Sequence, residues 1–197
     1  MTAWPEIAEL VAGAPYPVEV LPADPGRAAA ALAGLEITTR SWLGAVVAET
    51  GGLVVDHGWL RVRGGGHARL PEVGPPADGR LVVALDVLGG QFAWTAGARP
   101  SIAYFGPDRL AWDDLETGYG DWLEAVLTGG LTDFYESLRW PGWQAEVAAV
   151  PLDQGISLLP PPFTREGKDL ATVSRKPIPL AELVSVHHDM ARQLGFA

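Results

Sequence analysis

The chain has 197 residues, 48% hydrophobic, 9% aromatic and 19% charged, which suits one domain with a real core and excludes a disordered chain. Its formal charge is −10, its isoelectric point lies near 4.7, and only two of its 14 bases are lysines, Lys168 and Lys176. So acidic a chain without clustered bases argues against nucleic acid as partner, and the absence of cysteine excludes disulfides and thiolate metal sites. No apolar run reaches the roughly 18 residues needed to cross a bilayer, and no membrane role is expected. The opening Met-Thr-Ala-Trp-Pro-Glu lacks the basic and apolar regions of a signal peptide, so the cytoplasm is the expected compartment.

In chain order, Trp4, Ile7, Ala8 and Val11 keep the spacing of a helix with one buried face. Val18 to Leu21, bounded by prolines, reads as an edge strand. Asp24-Pro25 supplies an N-cap and a first-turn proline for a helix running to Leu35, whose Ala28, Ala31, Leu32 and Leu35 suit close packing on a sheet. Ala45 to Thr50 and Leu53 to Asp56 then predict a hairpin turning at Gly51-Gly52. In Trp59 to Arg63, Leu60 and Val62 alternate with Trp59, Arg61 and Arg63, as on the two faces of a strand. Residues Gly64 to Gly79, rich in glycine and proline, read as a long loop inside one domain spanning 1–197.

Leu81 to Val87 and Gln91 to Thr95 predict a second hairpin across Gly89-Gly90, followed by strands at Ile102 to Phe105 and Leu110 to Trp112. Tyr119 to Thr128 predicts a two-sided helix, with Trp122, Leu123, Val126 and Leu127 inward and Asp121 and Glu124 outward. A second short helix carries Leu131, Phe134, Tyr135 and Leu138 against outward Asp133 and Glu136. An aromatic corner, LRWPGW, follows from Leu138. After it come a strand at Ile156 to Leu159, a basic loop from Thr164 to Lys176 and a terminal helix from Pro179 with Leu180, Leu183, Val184, His187, Met190 and Leu194 on one stripe.

Acidity is a located feature. Between Asp108 and Glu136 lie Asp108, Asp113, Asp114, Glu116, Asp121, Glu124, Asp133 and Glu136, eight carboxylates against the single base Arg109, a local charge of −7. Solvated acids at helical spacing are poor general acids, because nothing raises their pKa, and they lack the alternating pattern of a calcium loop. They suit either a plain solvated surface or one that steers a basic protein toward itself, with Trp140 and Trp143 beside Arg139 as candidate aromatic anchors, although a core corner also accommodates both tryptophans. The expected partner-binding set is therefore Asp121, Glu124, Asp133, Glu136, Trp140 and Trp143.

Other chemistry finds less support. Gly64-Gly65-Gly66-His67 is followed by no helix whose N–H groups could hold a phosphate. His187 and His188, neighbours about 100° apart on a helix, cannot both face one metal. Ser41, His57 and Asp86 have no nucleophile elbow around them. No catalytic residue, cofactor or metal is expected. The alternative to a binding face is a small-ligand or enzymatic pocket near Asp56 and Arg61, lined by tryptophans.

The order strand, Gly-Gly hairpin, strand, strand and acidic-faced helix is carried by VVALDVLGGQFAW, IAYFGPDRLAW and YGDWLEAVL, with GWLRVRGGG upstream. It resembles the core of the SUKH superfamily. Nearly the whole chain also resembles a bacterial domain-of-unknown-function family, number 2625, through PVEVLPADP, TTRS, ETGGLVVDHGWLRV, FYESLRWPGW and REGKD, with a shorter stretch from Gly66 to Gly79. The family resemblance implies no activity. The SUKH resemblance implies an α+β fold, a mostly antiparallel sheet flanked by helices, and a protein-binding module. Such modules are often bacterial immunity proteins that neutralise a toxin, commonly a nuclease.

Overall fold

The computed structural model describes residues 2–97 and 99–196. Its fold is α+β. Helix α1 (Trp4–Gly13) opens on Pro5 and buries Ile7. Strand β1 (Val18–Pro22) leads to helix α2 (Pro25–Leu35), where the Asp24 carboxylate accepts from the N–H groups of Gly26 and Arg27 at 2.9 and 3.0 Å. That cap satisfies two of the helix's orphan donors and contributes about 1 kcal/mol.

The first predicted hairpin is corrected. Trp42–Glu49 forms helix α3, capped by Ser41, whose hydroxyl accepts from Gly44 N–H at 3.1 Å. Leu43, Ala45, Val46 and Val47 are all buried, so the helix shows no polar face and its apolar run imitates a core strand. Strand β2 (Thr50–Val55) follows directly, and Gly51 and Gly52 lie inside it rather than at a turn. A Cβ on Gly51 would sit 2.6 Å from the Pro22 carbonyl oxygen, and one on Gly52 would sit 2.5 Å from the Leu70 side chain. These glycines answer to the loop packed over them.

Strands β3 (Leu60–Arg63), β4 (Arg80–Asp86), β5 (Gln91–Thr95), β6 (Ser101–Phe105) and β7 (Trp112–Asp114) complete a seven-stranded antiparallel meander in sequential order. The predicted β4–β5 hairpin is present, with Leu81 opposite Trp94 and Leu85 opposite Gln91. Strand β7 begins later than predicted because Leu110, at φ 54°, belongs to the turn before it.

One face of the sheet packs on helices. Helix α4 (Tyr119–Leu127) buries Tyr119, Trp122, Leu123, Val126 and Leu127, as its stripe predicts. Each such side chain contributes about 1.5–3 kcal/mol of burial. Helix α5 (Leu131–Phe134) and a 3₁₀ turn (Glu136–Leu138) add Leu131, Tyr135 and Leu138 to the same core.

Much of the C-terminal third lies on the other face, where Arg61 meets Leu152 and Gln154 and Gln91 meets His188. It comprises helix α6 (Trp143–Ala148), the two-stranded sheet of β8 (Gln154–Leu159) and β9 (Ser174–Pro179), and helix α7 (Leu180–Leu194). The basic loop predicted to reach Lys176 is therefore shorter, because SRKPIP pairs as β9. Two prolines suit a strand with a single partner. Phe105 clusters with Leu110 and Ala191, and the His188 ring stacks on Phe105 at 4.5 Å. Val184 and Met190 are half-buried and Leu194 is exposed, so the α7 stripe is less covered than its spacing suggests. Among the described residues no helix is long and apolar enough to cross a membrane.

Candidate functional site

The α4–α5 segment carries Asp121, Glu124, Asp133 and Glu136 on its outer side, all four exposed. None takes part in an ion pair among the described residues. Behind them the apolar side of α4 is fixed in the core, so the carboxylates stand on a rigid support. Between Asp133 and Glu136, Phe134 is 39% exposed, and its inner edge touches Tyr104 and Tyr135 at centroid distances of 5.0 and 4.9 Å. An aromatic partly in the core and partly in solvent, on the segment that carries the exposed acids, is the feature missed by sequence reasoning. The helical period places Phe134 with the buried stripe, yet as the last residue of α5 it is partly exposed while Leu131 and Tyr135 are buried.

Trp140 and Trp143 are buried, at 3% and 9% exposure, so the partly exposed position is corrected in favour of the core corner. The Trp140 indole N–H donates to Glu146 at 2.8 Å, and Arg175 lies over the Trp140 ring at 5.0 Å while donating to the same carboxylate. Trp143 packs edge-on against Trp59 at 5.0 Å.

The same corner absorbs Asp56. Residues Asp56, His57 and Gly58 adopt φ of 53°, 60° and 88°, a left-handed turn between β2 and β3 in place of the regular strand end that would separate Asp56 from His57. The turn points the Asp56 carboxylate at Arg139, whose Nη2 donates at 2.5 Å. Exposures of 5% and 11% make this a buried ion pair. The Arg139 guanidinium also lies 4.1 Å from the Trp143 ring centroid, 5.0 Å from that of Trp59 and 5.7 Å from that of Tyr135. Thus DHGW and LRWPGW, 83 residues apart at Asp56 and Arg139, are two halves of one aromatic cage around an arginine.

Arg61 is fully buried and works as a tie. Its Nη1 donates to the carbonyl oxygens of Leu152 and Gln154 at 2.9 and 2.5 Å, binding the C-terminal third to the sheet. Burial pushes its pKa down to about 10, and Asp86 and Asp153 oppose the shift, so it remains charged. Neither Asp56 nor Arg61 lines the cleft of about 580 Å³ that opens beside them between His57, Gly58, Arg69 and Asp153.

Asp86 closes the β4–β5 turn. Its carboxylate accepts from Leu88 and Gly90 N–H at 2.9 and 2.8 Å and from the Tyr104 and Tyr135 hydroxyls at 2.7 and 2.9 Å. Complete burial raises its pKa, and those four donors work against the rise. Burial and the neighbouring carboxylate raise Tyr104 and Tyr135 as well. With Asp86 saturated and Ser41 occupied as the α3 cap, Ser41, His57 and Asp86 serve separate structures. His187 is buried, and burial lowers its pKa to about 4, which keeps it neutral. Gly64 to Gly66 run against the backbone of Thr50, Val47 and Glu72 and form the connector expected of them.

The architecture is thus an antiparallel meander with helices on one face and a strand-pair-and-helix unit on the other. The chain belongs to the family described as "Protein of unknown function DUF2625", whose model matches residues 1–183. The uncharacterised protein YbfG of Escherichia coli (strain K12) is 36% identical over 96% of this chain and 92% of its own length. An uncharacterised protein of Haemophilus influenzae (strain ATCC 51907 / DSM 11121 / KW20 / Rd) is 33% identical over 74% of this chain and 71% of its own. No solved structure matches the chain.

Proposed function

We propose that the protein is a non-catalytic binding module of SUKH-like type, which engages a basic protein partner, such as a toxin domain, through the acidic face of α4 and α5. The observation that carries this reading is the set Asp121, Glu124, Asp133 and Glu136, exposed and free of ion pairs among the described residues, on the same segment as the part-exposed Phe134. Like charges left unneutralised on a rigid face repel one another, and a complementary basic surface relieves that repulsion while speeding encounter. Phe134 supplies the central aromatic contact that such surfaces use. In this reading Trp140 and Trp143 hold the end of the face in place from within.

The test is affinity capture from the native host's lysate by the wild type and by D121K/E124K/D133K/E136K. The reading predicts a basic protein retained by the wild type, shed as salt rises from about 0.05 to about 0.5 M, and not retained by the variant. Equal capture by both proteins contradicts it.

A further inference from the structure

A second site lies on the opposite side of the molecule. A cleft of about 210 Å³ opens between the sheet, the turn before β4 and helix α7, and Arg63, Arg80, Gln91, Trp112 and His188 line it. It exceeds the roughly 10–15 Å³ that holds one water and falls short of the roughly 300–1,000 Å³ of a drug-sized pocket. Its floor comes from β3, β4, β5 and β7, so its groups sit on rigid elements. The Ala77–Arg80 hairpin, closed by reciprocal backbone bonds of 2.9 Å, fixes Arg80, and the guanidinium stacks over Trp112 at 5.0 Å. The side-chain amide nitrogen of Gln91 meets His188 Nε2 at 2.7 Å.

The two arginines set this cleft apart. In a chain of formal charge −10, neither Arg63 nor Arg80 takes part in an ion pair among the described residues, and the Nε of each is buried with no hydrogen-bond partner. Arg61 and Arg139 also leave one buried nitrogen each without a partner, Nη2 and Nε, but both, like Arg175, donate through other nitrogens to carbonyl or carboxylate oxygens. Glu72, the acid whose field reaches Arg63, is already paired with Arg27. Asp78, which also lines the cleft, is exposed on the turn and bonded to neither arginine. Those Nε atoms are closed to solvent, so an anion in the cleft would meet the terminal Nη nitrogens, which have no hydrogen-bond partner among the described residues, and the guanidinium fork matches the paired oxygens of carboxylates and phosphates.

We infer that this cleft is a binding site for a small oxyanion, a carboxylate or phosphate group held between Arg63 and Arg80 with Gln91 and His188 beside it. The site is independent of the acidic face. The experiment is a titration of the ¹⁵N-labelled full chain with inorganic phosphate and, separately, with acetate, against chloride at matched ionic strength. Saturable shifts of the Trp112 indole and the His188 ring are expected, with a Kd on the order of 1 mM. Whichever anion saturates identifies the preferred oxyanion. The variant R63M/R80M, which keeps much of the apolar stem, is expected to weaken binding at least about tenfold, whereas R165Q, on an exposed arginine outside the cleft, leaves it unchanged. Asp78→Asn removes the one acid at the rim and is expected to tighten binding by about two- to threefold. Shifts equal to those of chloride overturn the inference, as do shifts mapping outside the cleft or unchanged affinity in R63M/R80M. Should that variant fail to fold, the wild-type shift map and Asp78→Asn decide by the same criteria.

Discussion

Arg139→Met puts the aromatic cage to a quantitative test. The substitution preserves most of the side chain's apolar bulk and removes the one partner of a carboxylate that is only 5% exposed. Breaking a buried ion pair from one side costs about 3–5 kcal/mol, because the remaining charge is left uncompensated. Loss of the stacking on Trp143, Trp59 and Tyr135 adds about 1–2 kcal/mol. Asp56→Asn is the matching change, since asparagine tolerates the left-handed φ of 53° at this position. It strands Arg139 instead and is expected to cost about 2–4 kcal/mol. The double variant leaves no charge unpaired, so its loss falls short of the sum of the singles by about 1.5–3 kcal/mol. Urea unfolding followed by tryptophan fluorescence reads all four proteins, because Trp59, Trp140 and Trp143 surround the pair. Additive singles, with a coupling below about 0.5 kcal/mol, would refute the cage. Singles that are neutral or stabilising would instead mark Asp56 as a group held for a ligand.

Further expectations concern the buried polar groups. His187 has a folded pKa of about 4 against an ordinary 6.5, so the unfolded chain takes the proton first. Its contribution is full above pH 6.5 and is lost as pH falls toward 4, by up to about 3 kcal/mol; the wild type should lose this against His187→Leu in urea melts across that range. Tyr104→Phe and Tyr135→Phe each leave Asp86 one donor short and cost about 1.5–3 kcal/mol. Asp86 then ionises less readily, so the loss is larger at alkaline than at mildly acid pH, and melts at the two pH values check the sign. In Gly90→Ala the new Cβ would fall 2.1 Å from Asp86 Oδ2 and 2.5 Å from the Tyr104 hydroxyl oxygen, and a loss of stability of about 2–4 kcal/mol is expected by thermal melt. Gly97→Ala, with nothing within 4 Å of the new Cβ, should be neutral.

Legibility in the sequence followed locality. The β4–β5 hairpin and α4 could be read because Gly89-Gly90 and the Trp122, Leu123, Val126, Leu127 stripe encode their geometry within a few residues. Helix α3 could not, since burial on nearly all sides erases the period and Val46-Val47 mimics a strand. Strand β9 was hidden by its prolines, and Gly51-Gly52 answered to a loop packed over them instead of a turn. The outward acids of α4 and α5 lay on the predicted side, but the exposure of Phe134 and the burial of Trp140 and Trp143, which pack against Trp59, are set by tertiary contacts that no local period records. The Arg63–Arg80 cleft was wholly illegible. It needs four strands of the meander and the terminal helix to bring its residues together, and no local period records that meeting.

The central claim concerns the α4–α5 face, and photo-crosslinking from that face tests it most directly. A photoreactive phenylalanine analogue replaces Phe134 in one protein and Ser185, an exposed residue of α7, in another. Irradiation in cells of the native host is predicted to join one basic protein to the Phe134 position, to leave the Ser185 position unlinked to it, and to lose the product when Asp121, Glu124, Asp133 and Glu136 are reversed. The same product from both positions, or a product that survives charge reversal, would contradict the account.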